Sequence, residues 1–210
     1  MYVIFILLYF LTGDAFVKML PCLLLAHNSD SLGLIATFTF AALGDFFFHT
    51  PETFFAGIAF FIFMNLSLVK NIHELYGSIG ALDPRGGSYA PNYVLVWRVW
   101  VQYLSLIFAT ILQYVFYSVF QNAITLAVIN MYVASLLYML YTTFTHRVRE
   151  VRVNKFNLSC RYAASLFVIS DICILLKFAT SINLSPIGLS LYWASMYLFN
   201  YTLKTNLCTN

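Results

Sequence analysis

The sequence predicts an all-α membrane protein, a polytopic bundle of about eight transmembrane helices. The chain has 210 residues, of which 61% are hydrophobic and only 9% are charged, whereas about a quarter of the residues in a typical soluble domain are charged. Apolar runs of helical length recur along the chain. No repeat or shift in composition divides it, so residues 1–210 are predicted to form a single integral membrane domain.

The predicted helices follow from apolar runs that turn residues separate. Their approximate ranges are residues 1–11, 15–27, 32–48, 54–69, 95–120, 123–145, 161–179 and 187–204. The first two runs are short, and the segment 12–14 (Thr-Gly-Asp) is either a turn between two short helices or a polar break within one helix. Seven helices is therefore the alternative count.

Charge predicts the orientation of these helices. The connection 146–155 is the densest basic run of the chain, and the positive-inside rule places such a run in the cytosol. With eight helices, both termini and the connection 70–91 then also face the cytosol. Lys204, near the end of the last predicted helix, agrees with this orientation. The first apolar run has no basic leader and no Ala-x-Ala site, so we predict no signal peptide.

Several function classes are excluded by composition and spacing. The net charge of +3 is small and dispersed, so nucleic acid is not an expected partner. The four cysteines and four histidines have neither metal-ligand spacing nor a His-Glu-x-x-His motif. We therefore expect no metal and no cofactor. A Gly-x-Ser-x-Gly motif, typical of serine hydrolases, is absent from the sequence.

Two aspartates interrupt otherwise apolar predicted helices. Asp45 lies in the third helix and Asp171 in the seventh, although a carboxylate at the centre of a membrane helix costs about 2.5 to 3.5 kcal/mol on insertion scales. Such residues are candidates for a functional site. The alternative is a packing role, in which each acid binds a hydroxyl or pairs with Lys18, Arg161 or Lys177. Both interpretations remain open.

A pair of carboxyl groups is suited to acid and base chemistry. In an apolar medium two neighbouring carboxyls tend to hold one proton between them. One can then donate a proton while the other activates a water molecule. This hypothesis requires that the fold bring the two aspartates together.

Three more residues are candidates for ligand binding, each with a structural alternative. Lys18 could hold a phosphate or keep an aspartate ionised, or it could extend to the membrane surface. Asn65 could bind a ligand or a neighbouring helix. Tyr192, with Trp193 and Tyr197, could line a pocket, although packing explains aromatic residues equally well in a chain that is 19% aromatic.

Several short blocks occur in a characteristic order along nearly the whole chain. They are KMLP at 18–21, LGLI at 32–35, LGD at 43–45, FAG at 55–57, FVISD at 167–171 and KF at 177–178. In order and spacing these blocks resemble the YhhN-type lysoplasmalogenase family. FVISD is the most specific of them.

The resemblance implies an eight-helix membrane enzyme, an ether hydrolase that cleaves the vinyl ether bond of lysoplasmalogens. Its products would be a fatty aldehyde and glycerophosphocholine or glycerophosphoethanolamine, formed without a metal. Asp45 and Asp171 match the catalytic acids, and Lys18, Asn65 and Tyr192 are the expected substrate-binding residues. The partners would be a lysophospholipid and the lipid bilayer. The expected location is the endoplasmic reticulum or another internal membrane.

Two positions depart from the family pattern. Asn65 stands where the family tends to have a histidine, and Ser195 or Met196 stands where it tends to have a glutamine. An asparagine does not titrate near neutral pH. The alternative function is therefore a non-catalytic, multi-pass lipid-binding or transport protein of the same fold. A heptahelical receptor is a third interpretation, which only the seven-helix count suggests.

Overall fold

The computed structural model describes residues 1–81, 122–145, 151–179 and 183–207. Within these ranges the protein is all-helical, which confirms the predicted all-α class. The described helices are α1 (Tyr2–Thr12), α2 (Ala15–His27), α3 (Leu32–Phe47), α4 (Phe54–Ala81), α5 (Ala123–Thr145), α6 (Val151–Ala179) and α7 (Ser185–Leu207). A single 3₁₀ turn, Pro51–Thr53, precedes α4. The predicted helix at 95–120 lies outside the described residues.

The polar segment between the first two helices is a turn. Gly13 ends α1 in the left-handed conformation, with φ of 66°, which glycine adopts without the steric penalty of a side chain. Asp14 caps α2, where its side chain accepts a hydrogen bond of 2.6 Å from the backbone N–H of Phe16. These two end signals explain why α1 and α2 are separate helices.

Three helices are longer than predicted. Helix α7 spans Ser185–Leu207 instead of 187–204. Helix α4 continues past residue 69 to Ala81, and α6 begins at Val151 instead of at residue 161. Part of the predicted connections 70–91 and 146–155 is therefore helical. The apolar run in α4 ends at Lys70, but Lys and Glu are good helix formers, and Lys70 and Glu74 form an i, i+4 ion pair of 3.6 Å. Polarity alone is a poor marker of a helix end.

Helix α3 is central in the first half of the bundle. It packs against both α2 and α4, while α6 packs mainly on α7 and α5 packs on α4. A Cβ atom added to Gly44 of α3 would lie 2.8 Å from the ring of Phe61 on α4. The missing side chain is thus what allows this ring to approach the α3 backbone.

The first and last described helices are in contact. The hydroxyl of Tyr2 in α1 donates a hydrogen bond of 2.7 Å to the backbone carbonyl of Trp193 in α7. The rings of Tyr9 and Trp193 meet edge to face, with centroids 5.5 Å apart. Since α1 has no buried residue of its own, these aromatic contacts and its packing on α2 hold it to the bundle.

Large apolar side chains cover much of the surface. Leu11, Ile124 and Met131 are 84%, 69% and 62% exposed, respectively. Within the described residues, Phe54–Leu75 of α4 and Ala123–Phe144 of α5 are long and apolar enough to cross a membrane. Helices α1, α2 and α3 are apolar but shorter.

Candidate active site

Asp45 is paired with Lys18. The Lys18 Nζ atom lies 3.2 Å from Asp45 Oδ1, and the side chains are 13% and 2% exposed. The hairpin of α2 and α3 brings these residues together, because the turn between the helices makes them antiparallel neighbours. The ring of Phe48 lies beneath the ammonium group, 5.7 Å from Nζ to the ring centroid. A cation beside so buried a carboxylate offsets the cost of removing its charge from water.

The other oxygen of Asp45 faces a thiol. Cys22 Sγ lies 3.7 Å from Asp45 Oδ2, with the thiol as donor, and 3.5 Å from the hydroxyl of Tyr192. Cys22 is one turn after Lys18 on α2, and Tyr192 comes from α7. Three helices therefore build the surroundings of one carboxylate.

Asp171 has different surroundings. The Tyr132 hydroxyl on α5 donates a hydrogen bond of 2.7 Å to Asp171 Oδ2. Asp171 is partly exposed, and none of the lysine or arginine side chains that the structure describes lies within 4.0 Å of it. One aspartate thus has an ammonium partner, whereas the other has a phenol.

The ring of Phe61 connects these two centres. Its centroid lies 6.4 Å from the ring of Tyr132 and 6.1 Å from the ring of Tyr192. The Tyr192 ring also meets Phe167, one helical turn before Asp171, at 5.8 Å. The aromatic rings around the carboxyls therefore form one continuous apolar cluster, and Gly44, next to Asp45, allows Phe61 to enter it.

The predicted site residues divide between the two centres. Lys18, Asp45 and Tyr192 lie together, while Asp171 belongs to the second centre. Within the described part of the chain no hydrogen bond joins the two carboxyls, and each has its own partner. The structure therefore does not place the two carboxyls to share a proton through a direct hydrogen bond.

Asn65 lies outside both centres. Its amide nitrogen donates a hydrogen bond of 3.1 Å to the Ser135 hydroxyl on α5, so it binds a neighbouring helix. Its side-chain oxygen is buried, with no hydrogen-bond partner among the described residues. Arg161, one of the cations considered as an aspartate partner, donates instead to the carbonyl of Phe144, at 3.2 Å.

Sequence reasoning missed two residues of the site, Cys22 and Tyr132. The i, i+4 spacing of Lys18 and Cys22 places them on one face of α2, so this contact had a detectable signal. Tyr132 had none, because it is one of 15 tyrosines and its role depends on how α5 packs beside α6. The described cysteines Cys22, Cys160 and Cys173 are free thiols.

The fold and the site together define a class, an all-helical bundle with two differently partnered carboxyl centres. In the described part of the chain, no group of three or more His, Cys, Asp or Glu side chains is placed to hold a metal ion. A comparison of the chain with protein-family models, with curated proteins and with solved structures finds no match.

Proposed function

We propose that the protein is a lysoplasmalogenase-like membrane hydrolase that cleaves vinyl ether lysophospholipids to a fatty aldehyde and a glycerophosphodiester. One observation carries this proposal. Two aspartates in apolar helices have unlike partners, Lys18 and Tyr132, and a single ring, Phe61, meets both centres. Vinyl ether hydrolysis needs an acid and a base in different protonation states, and unlike surroundings are how proteins achieve this.

We place the chain in a membrane as a multi-pass protein of eight helices. The two long apolar helices and the exposed apolar side chains support this placement, and the apolar run at 95–120 supplies the eighth helix. The basic connection 146–155 and both termini are proposed to face the cytosol. The proposed membrane is the endoplasmic reticulum or another internal membrane.

The proposed roles follow from the partners of the two acids. Lys18 stabilises the anionic form of Asp45, so Asp45 is proposed as the base. Asp171 has no cationic partner among the described side chains, so it is proposed to carry the proton. The unlike partners thus separate the acid from the base before substrate arrives.

The proposed reaction begins with protonation of carbon. Asp171 gives its proton to the β-carbon of the vinyl ether, and the double-bond electrons form the new C–H bond, leaving an oxocarbenium ion. Asp45 takes a proton from water as the water oxygen bonds to the α-carbon, which gives a hemiacetal. The bond from the α-carbon to the glycerol oxygen then breaks. Asp45 returns its proton to that oxygen, and the hemiacetal hydroxyl proton goes to Asp171, so both acids regain their starting states.

Three residues are proposed to bind the substrate. The Lys18 ammonium has three donors and remains 13% exposed, so it can contact the substrate phosphate while it stays paired with Asp45. Tyr192 belongs to the apolar cluster, which is suited to the alkenyl chain. Asn65 lies outside both centres, but its buried side-chain oxygen has no hydrogen-bond partner among the described residues, so it is proposed to accept a hydrogen bond from a glycerol hydroxyl of a substrate that enters between α4 and α5.

Aldehyde release by the purified protein tests the proposal. We expect release from a 1-alkenyl lysophospholipid and none from the matched 1-acyl lipid, because only the former has a vinyl ether. Asp45→Asn and Asp171→Asn should each abolish release, with folding checked by circular dichroism. A well-folded wild-type protein without activity, or activity that survives both substitutions, would contradict the proposal.

The alternative is a non-catalytic protein that binds or transports lipid. The ion pair between Lys18 and Asp45 favours it, because a paired carboxylate can serve packing alone. Tight binding of lysophospholipid by the purified protein, without aldehyde release, would support this alternative.

A further inference from the structure

A chain of hydrogen bonds crosses three helices and ends at Asp171. The Asn65 amide on α4 donates to the Ser135 hydroxyl at 3.1 Å. That hydroxyl donates to the backbone carbonyl of Tyr132 at 2.7 Å. The Tyr132 hydroxyl then donates to Asp171 Oδ2 on α6 at 2.7 Å. A residue of α4 is thus connected to the candidate acid through α5.

The inner part of this chain of hydrogen bonds, between Asn65 and Tyr132, is firmly held. Asn65 is 0% exposed and Ser135 is 6% exposed, and buried polar groups strongly resist losing their partners. The Tyr132 ring packs beside Phe61, with centroids 6.4 Å apart. The backbone and the ring of Tyr132 are therefore both fixed, and so is the direction in which its hydroxyl points.

This arrangement leaves the two oxygens of Asp171 unequal. Oδ2 accepts the bond from Tyr132, whereas Oδ1 has no hydrogen-bond partner within the described residues. Asp171 is also partly exposed, which leaves room for a ligand to approach. A carboxyl group held through one oxygen presents the other in a defined direction.

We propose that Tyr132 is a positioning residue that holds Asp171 by Oδ2 and presents Oδ1 as the atom that delivers the proton to the vinyl ether carbon. This inference rests on the proposed function. The proton leaves Asp171 Oδ1 for the β-carbon and returns to the same oxygen from the hemiacetal, while the hydroxyl proton of Tyr132 stays in place. Tyr132 therefore neither gains nor loses a proton over the cycle.

The test is Tyr132→Phe in the purified full-length protein, assayed by aldehyde release from a 1-alkenyl lysophospholipid. The substitution keeps the ring and removes only the hydroxyl. We expect kcat to fall by roughly 10- to 100-fold, by analogy with the loss that follows removal of a residue that hydrogen-bonds and orients a metal ligand, while KM changes less than about twofold because Tyr132 binds no substrate. The solvent deuterium isotope effect on kcat should increase, since proton transfer from a loosely held acid limits the rate more strongly.

Tyr138→Phe is the matched control. Tyr138 lies on the same helix, is 46% exposed, and its hydroxyl makes none of the bonds described above. We expect its kcat, KM and isotope effect to equal those of the wild type. If Tyr132→Phe and Tyr138→Phe behave alike in an active enzyme, the positioning role is overturned and the proposed function stands.

Ser135→Ala provides a second test that leaves the Tyr132 hydroxyl in place. Loss of the Ser135 hydroxyl leaves the buried Asn65 amide without its acceptor, which weakens the contact between α4 and α5 that helps to position Tyr132. We therefore expect a loss of kcat that is smaller than the loss in Tyr132→Phe. If Tyr132→Phe fails to fold, Ser135→Ala becomes the deciding variant. A kcat of Ser135→Ala equal to that of the wild type would then overturn the positioning role of Tyr132. A wild-type protein that releases no aldehyde would overturn both the proposed function and the role of Tyr132.

Discussion

At the scale of single residues, the ion pair between Lys18 and Asp45 is the most consequential contact in the described structure. Both groups are largely removed from solvent, so each depends on the other. Removing one partner of a buried pair leaves an uncompensated charge, which typically costs about 3 to 5 kcal/mol. Replacing both partners with uncharged groups costs much less.

We therefore predict that Lys18→Met lowers the free energy of unfolding by about 3 kcal/mol, because Asp45 is left charged and buried. The double variant Lys18→Met/Asp45→Asn should recover most of that loss. Thermal unfolding in detergent, followed by circular dichroism, measures both effects.

The control is Lys70→Met. Lys70 pairs with Glu74, but the side chains are 75% and 58% exposed, and exposed i, i+4 pairs contribute only about 0.3 to 0.5 kcal/mol. Equal losses in Lys18→Met and Lys70→Met would show that the Lys18 pair has no special stabilising role.

The candidate site could be predicted only in part. Asp45 and Asp171 stand out in the sequence because carboxyls are rare in apolar helices, and a cation partner for Asp45 was among the alternatives. The choice of Lys18 among several cations depends on the α2–α3 hairpin. The phenol partner of Asp171 depends on the rotation of α5, which no local pattern reports.

At the scale of elements, the contact between Gly44 and Phe61 sets how closely α3 and α4 approach. We predict that Gly44→Ala lowers stability by about 1 to 3 kcal/mol, the usual cost of overpacking, because the new methyl group would meet the Phe61 ring at 2.8 Å. Aldehyde release should fall as well, since the ring contacts both centres. Unfolding and activity assays on the same preparation check this.

A second substitution, at Phe61, tests whether steric crowding causes the stability loss that we predict for Gly44→Ala. Phe61→Leu shortens the side chain that Gly44 faces, so Gly44→Ala/Phe61→Leu should be more stable than the sum of the two single changes predicts. Simple additivity would argue against a direct clash between these residues.

The turn at Gly13 permits a prediction about backbone strain. Gly13→Ala should cost about 1 to 2 kcal/mol, because alanine is penalised in the left-handed conformation, although nothing lies within 4 Å of an added Cβ atom. Gly13→Asn should cost less, since asparagine tolerates that conformation better. Equal unfolding midpoints for Gly13→Ala and the wild type would contradict the prediction that alanine is strained at this position.

Helix boundaries were predictable where the sequence encodes an explicit end. Gly13 and Asp14 end α1 and begin α2, and Ser31 caps α3, so these helices begin and end within a residue of the predicted positions. The apolar run of α4 ends earlier than the helix itself. Its polar extension, 70–81, follows from helix propensity and side-chain pairing instead of hydropathy.

At the scale of the whole molecule, the proposed membrane topology makes a prediction. Short protease-sensitive tags at the N-terminus, at the C-terminus and within 146–155 should all be cleaved by protease added to sealed microsomes, because all three sites are proposed to be cytosolic. Protection of all three tags until the membrane is permeabilised would contradict the orientation, and protection of one terminus but not the other would contradict the even number of helices. A lumenal tag of known topology serves as the control.

The hydrogen bond between Tyr2 and the carbonyl of Trp193 joins residues that are 191 positions apart. At a synthesis rate of about 5 to 20 residues per second, roughly 10 to 40 seconds separate the appearance of these two partners. During that interval α1, which buries none of its residues, has its contact with α2 but not the aromatic face of α7. The first helix of the bundle therefore completes its packing only after the last described helix has been made.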